Sequence, residues 1–253
     1  MNSTAISLIA AGCTCSGALF GIWLQKRLPS HHLKGDSFEI VKLGAGMLAT
    51  ITALVLGLLV SSAKGTFDTI NDGIRQVSAK TILLDRVLAQ YGAEAQPARE
   101  QLKRSVATSL EAALRRKSAG TAEQTAVTTT NRVEAVQWRL RELTPQTALQ
   151  RQLLGEANQI AGDLAQTRWL MMAEAQNELP LPLLVILICW LTFLFISFGL
   201  FSPRNATVIT VLFVCACSMA AAIFLVLELN RPMDGFIKVS SAPLRNVLEQ
   251  LGR

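Results

Sequence analysis

The sequence has only two histidines, His31 and His32, and they are adjacent. Neighbouring side chains point apart, so histidine chemistry, whether a metal site or an acid–base pair, has almost nothing to build with. Five cysteines are present, Cys13, Cys15, Cys189, Cys215 and Cys217, and all lie in apolar stretches. No Cys/His spacing of a zinc site occurs, and a cysteine in such a run reads as a small buried hydrophobe. A glycine-rich phosphate loop and a nucleophile–base pair are also missing. The sequence therefore offers no ground for an enzyme, a cofactor or a bound metal.

Charge is scarce too. Charged residues make up 17% of the chain and hydrophobic ones 51%, against about 25% charged in an ordinary soluble domain. Mean hydropathy is positive, at +0.37. The net charge of +6 is not gathered into a basic block, because residues 64–178 hold 15 Lys/Arg and 13 Asp/Glu. A nucleic-acid binder would concentrate its basic excess beside aromatics. Here most of the remainder sits near the ends of apolar runs, where basic side chains meet phospholipid headgroups.

What is present is four long runs almost without charge: residues 5–24, 44–63, 181–201 and 207–229, the last with Glu228 at its end. A helix needs about 20 mostly apolar residues to cross a bilayer, so each run predicts a transmembrane helix. The first is not a signal peptide in pattern. No basic residue precedes it, its apolar core is long, and Gln25-Lys26-Arg27 follows it.

Residues 64–179 show helical periodicity instead. Leu102, Val106, Leu110 and Leu114 form one stripe. Val133, Val136, Leu140 and Leu143 form a second, and Leu149, Leu153, Ile160, Ala161 and Leu164 a third. Tyr91-Gly92 reads as a helix end with a left-handed glycine. Pro97 suits a first turn, and Thr144-Pro145 reads as an N-cap followed by a first-turn proline. About four helices packed as a bundle are expected. The first and last of them should continue out of the second and third spans, with Pro180 and Pro182 marking a possible kink. The expected architecture is an all-α membrane protein with four transmembrane helices and a helical-bundle insert between the second and third. Its parts are residues 1–63, 64–179, 180–229 and a tail, 230–253. In the tail, Leu244, Val247, Leu248 and Leu251 make a short amphipathic helix, which can lie on the bilayer or dock on the bundle.

Orientation follows from Lys26, Arg27, Lys34 and Lys42 after the first helix and Arg204 in the last loop. The positive-inside rule puts those loops in the cytoplasm and the bundle on the extracytoplasmic side. Arg231, Lys238, Arg245 and Arg253 of the tail pull the other way.

Two features stand out as candidate sites. The second span carries Gly46, Thr50, Ala53, Gly57 and Ser61 on one helical face. Small residues let helices approach closely in lipid. Thr50, Ala53, Gly57 and Ser61 are equally candidates to line a pore, with the hydroxyls of Thr50, Thr52 and Ser61 in contact with water or ions. A similar stripe in the first span, Cys13, Gly17 and Gly21, is expected to serve packing. The second feature closes the fourth span. Glu228, Asn230, Arg231 and Asp234 crowd a membrane boundary, and Pro232 and Gly235 stop and turn the chain. A carboxylate at a helix C-terminus opposes the macrodipole. Glu228 is therefore expected to have a partner, with Arg231 one turn away. These charges are candidates for a pore mouth or a coupling joint.

The run LVLELNRPMDGFIKVSSAPL, with Arg231, Pro232, Gly235, Ile237, Val239, Ser240, Pro243 and Leu244, resembles the closing signature of the bacterial bestrophin-like membrane protein family. GLLVSSAKGTFD, with Gly57, Phe67 and Asp68, resembles the exit of that family's second helix, and the layout agrees along nearly the whole chain. Glu228 and Asn230 stand where the family tends to carry two aspartates. The resemblance implies kinship to oligomeric anion channels. It leads to an oligomeric ion channel in the bacterial inner membrane, with the bilayer, its own copies and inorganic ions as partners. The alternative is a membrane-anchored sensor or scaffold that binds a partner through the bundle.

Overall fold

The computed structural model describes residues 3–27, 36–119, 134–175, 180–203, 205–231 and 242–251. Every regular element among them is helical. In chain order these are α1 (Ser3–Arg27), α2 (Asp36–Tyr91), a short 3-10 turn (Ala93–Ala95), α3 (Gln96–Ala119), α4 (134–141), α5 (Ala148–Ala175), α6 (Leu181–Phe201), α7 (Ala206–Leu229) and α8 (Ala242–Gln250). Four of them, α1, α2, α6 and α7, are long and apolar enough to cross a bilayer. The chain divides into two compact units, Met1–Gly65 with Glu178–Asn230, and Thr66–Asn177 with Arg231–Arg253.

In the first unit α1 packs along α6 and α7. Glycine sets the α1–α6 approach. A Cβ on Gly21 would strike the Ile196 carbonyl, one on Gly199 the Ala18 carbonyl, and one on Gly17 would come within 3.0 Å of the Thr192 carbonyl. Without hydrophobic pressure between helices in lipid, contact this close is what dispersion between backbones requires. The expected packing role of Gly17 and Gly21 is thus met, and Gly199 is its unforeseen counterpart. A cluster of Ile6, Ala10, Leu59, Leu187, Ile223 and Val226 joins all four helices. Buried hydroxyls satisfy themselves within their own helices. Thr14 donates to the Ala10 carbonyl at 2.8 Å and Thr192 to the Ile188 carbonyl at 2.7 Å, as a medium without water demands. At the end of α1 the Arg27 guanidinium lies over the Trp23 ring at 5.5 Å, a pairing suited to the headgroup level.

The second unit has its own core, built from Leu84, Leu88, Tyr91, Leu102, Leu140, Leu153 and Val247 among others. Val106, Val136, Ile160, Ala161 and Leu164 are buried as their periodicity predicts. Leu114 and Leu149 are not, since each sits near a helix end and is exposed. Val133 lies outside the described residues. α8 packs on α3 and inserts Val247 and Leu251 into this core, so the tail helix docks on protein.

Helix boundaries follow from caps. α2 ends at Tyr91 because Gly92 adopts φ 120°, open to glycine alone. Thr144 is not the cap of α5. Thr147 is: its hydroxyl accepts from the Gln150 N–H at 3.1 Å, while Gln150 Oε1 accepts from the Thr147 N–H at 3.3 Å. This is a reciprocal capping box, Thr-x-x-Gln. α2 runs unbroken from its span past Ala63, as expected. The expected continuation of α5 into the third span fails, because Pro180 is extended (φ −63°, ψ 110°) and α6 starts afresh at Leu181 with Pro182 in its first turn.

Candidate functional site: the uncovered face of α2 and the end of α7

α2 presents two unlike faces to the first unit. Leu59 and Ala63 are buried against the other spans, with Val55, Leu56 and Val60 beside them. Thr52 shares that side. It is 4% exposed, and its hydroxyl donates to the Leu48 carbonyl at 2.6 Å. The expectation that Thr52 acts together with Thr50 and Ser61 is therefore corrected. At 100° per residue, two positions separate Thr52 from Thr50 by about 200°.

The other face is open. Thr50, Ala53, Gly57 and Ser61 are all exposed, and a Cβ added at Gly46 or Gly57 would meet nothing within 4 Å. Thr50 donates to the Met47 carbonyl at 2.7 Å, so its oxygen keeps acceptor capacity. Toward the start of α2 the same face continues through Lys42 and Glu39, which with Leu43, Gly46, Met47 and Thr50 line a shallow open groove. From Glu39 to Ser61 the stripe thus passes from charged to small and hydroxylated over about six turns of helix, with no charge after Lys42.

Leu8, Leu19 and Phe20 of α1, Val185 and Phe193 of α6, and Ile209 and Phe213 of α7 are large, apolar and exposed, a composition matched to lipid tails. Large apolar side chains also flank the stripe on α2 itself, at Met47, Leu54 and Leu58, and small exposed positions occur on other spans, at Gly12 and Ser16 of α1 and Ser218 and Ala221 of α7.

At the end of α7, Glu228 is buried at 3% exposure beside Val226 and Leu227. Asn230 closes the helix, its N–H donating to the Val226 carbonyl at 3.1 Å. Arg231 is exposed, one turn beyond a buried carboxylate. Pro232, Asp234 and Gly235 lie outside the described residues, as do His31 and His32. No group of three or more potential metal-ligating side chains occurs among the described residues.

Sequence reasoning missed one polar feature of the second unit. Arg99 of α3 grips Asp85 of α2 through Nε at 2.7 Å and Nη2 at 3.0 Å. Its hydrogen bond to Asp85 raises the Arg99 pKa; burial pulls it down, and the Asp85 charge raises it further. A second feature is the Tyr91 hydroxyl, buried with no hydrogen-bond partner among the described residues. Burial pushes its pKa up, and the charge of Glu94 adds to that. A small apolar cavity of about 40 Å³, lined by Val77, Leu84, Leu102, Val136 and Val247, lies within the same core. That is space for water rather than for an organic ligand.

The profile of the bestrophin-like domain matches residues 12–244. No curated protein and no solved structure matches the chain. The match begins within α1 and ends within α8, spanning all four apolar helices and the helices between them. The chain therefore belongs to the bestrophin-like family.

Proposed function

We propose that this chain is a subunit of a homo-oligomeric membrane ion channel in which Thr50, Ala53, Gly57 and Ser61 of α2 face a shared axis. The observation that carries the reading is the exposure of this stripe of small and hydroxylated side chains, on a helix with no charged residue between Lys42 and Lys64. Small residues permit close helix approach. Hydroxyls on a helix without mid-span charge give ions a wettable path. Family membership supports a channel-like role. Glu228, Asn230, Arg231 and Asp234 then form a charged mouth or a joint coupling membrane helices to the bundle. The bundle belongs to the extracytoplasmic side of a bacterial inner membrane, following the basic residues around the first loop.

Reconstitution tests this. Purified oligomer in planar bilayers should pass current that scales with protein added. Silent bilayers from an oligomer verified by mass would sink the channel reading. The chain would then be better described as a membrane-anchored module that binds a partner through its bundle.

A further inference from the structure

We infer that the outward face of α5 is a contact surface for a second copy of this chain, paired in parallel. The inference rests on the homo-oligomeric part of the proposed function and not on conduction.

α5 buries Leu153, Ala157, Ile160, Ala161 and Leu164 on one side. The opposite side runs Gln152, Gly155, Gln159, Gly162, Gln166 and Trp169, all exposed. The spacing alternates three and four, the period of a heptad seam at a and d. A helix face turned away from its core normally carries charge, as α3 does with the exposed Glu100, Lys103 and Arg104. The six positions of this stripe carry none over about two and a half heptads, the charges standing only at its flanks, and Trp169 on it is 57% exposed.

Two glycines sit in the middle of the stripe. Glycine inside a helix costs about 1 kcal/mol relative to alanine. Nothing among the described residues explains that cost, because a Cβ on Gly155 or Gly162 would meet none of their atoms within 4 Å. Glycine at a seam position lets a second backbone come close. Glutamine amides both donate and accept, so a stripe of them is complementary to its own copy.

The flanking charges select the occupant. With Gln152 at a, Arg151 takes position g and Glu156 position e. In a parallel pair g of one helix meets e of the other five residues on, so Arg151 faces Glu156 of the second copy twice over. Both are exposed and neither joins an ion pair among the described residues. Asp163, the next e position, is already held by Lys80 at 3.4 Å.

The test uses the full chain in lipid nanodiscs with the five native cysteines replaced by alanine. Gln159→Cys and Gly162→Cys should give disulfide-linked dimers under mild oxidation, while Glu100→Cys, on α3, should not. Arg151→Glu in the Gln159→Cys background should abolish the crosslink, as should Glu156→Arg. The double reversal Arg151→Glu/Glu156→Arg should restore it, which a general folding defect would not. Absence of crosslinks at 159 and 162, equal crosslinking at 100, or failure of the double reversal would overturn the inference. Crosslinking without current would overturn the channel alone. Current from an oligomer that never crosslinks through α5 would overturn this surface alone.

Discussion

Arg99 holds both oxygens of Asp85, whose side chain is only 4% exposed, in a bidentate clamp between α3 and α2. Fork-on-fork geometry satisfies the carboxylate twice and fixes the two helices in register. Removing the cation alone takes the bidentate partner from a buried carboxylate. Arg99→Ala is expected to destabilise the second unit by about 3–5 kcal/mol, while a well-packed apolar pair at both positions recovers most of it. Chemical denaturation of detergent-purified protein, followed by helical circular dichroism for Arg99→Ala and for Asp85→Leu/Arg99→Met, checks both halves.

Tyr91 should set an alkaline limit. Its folded pKa lies above the ordinary tyrosine value of 10.0 because burial disfavours the phenolate. A raised pKa means stability is fully present below the unfolded value of about 10 and is lost as pH rises through the folded one. Tyr91→Phe should remove that loss. It should also leave the protein as stable or about 1 kcal/mol more stable at neutral pH, since a buried hydroxyl without a partner costs about that much. Thermal midpoints measured between neutral and strongly alkaline pH for the two proteins decide it.

Glycines in the spans should fall into two classes. Gly21→Ala and Gly199→Ala place a methyl against a backbone carbonyl, and overpacking of this kind costs about 1–3 kcal/mol. Gly46→Ala and Gly57→Ala meet nothing among the described residues and should leave a detergent-held monomer as stable or up to about 1 kcal/mol more stable. Thermal aggregation midpoints of the four variants in detergent would separate the classes.

Accessibility should split the hydroxyls of α2. Thr50→Cys and Ser61→Cys should react with a charged methanethiosulfonate reagent and lower the current in bilayers. Thr52→Cys, on the buried side, should not react. Equal reaction at 50 and 52 would mean that the faces of α2 are not arranged as described.

The cap of α5 is a smaller test. Thr147→Ala removes the acceptor of the Gln150 N–H and should cost about 1 kcal/mol, whereas Thr144→Ala should cost much less. Urea midpoints of the two variants compare them directly.

Residue type and spacing mislead at three positions, each for a physical reason. Thr144-Pro145 has the residue types of an N-cap, but Thr147 and Gln150, at Thr-x-x-Gln spacing, form the reciprocal pair. Thr52 shares a hydroxyl with Thr50, but the helical period turns it to the other side. Leu149 has the right spacing for its stripe and is exposed because the first turn of α5 stands beyond the core.

The four spans, the length of α2 past its membrane segment and the helical nature of the rest were determined by sequence alone. Hydrocarbon admits only backbones that bond to themselves, so about 20 uncharged residues leave one solution. Periodicity then carries the helical faces. Tertiary structure decided what depends on distance between remote residues. It put Gly199 against α1, Asp85 under Arg99 and Val247 of α8 in the core of the second unit. An amphipathic helix suits bilayer and bundle equally, and a charge suits any opposite charge. Only the packed chain selects one partner, because selection there comes from shape and reach rather than residue type.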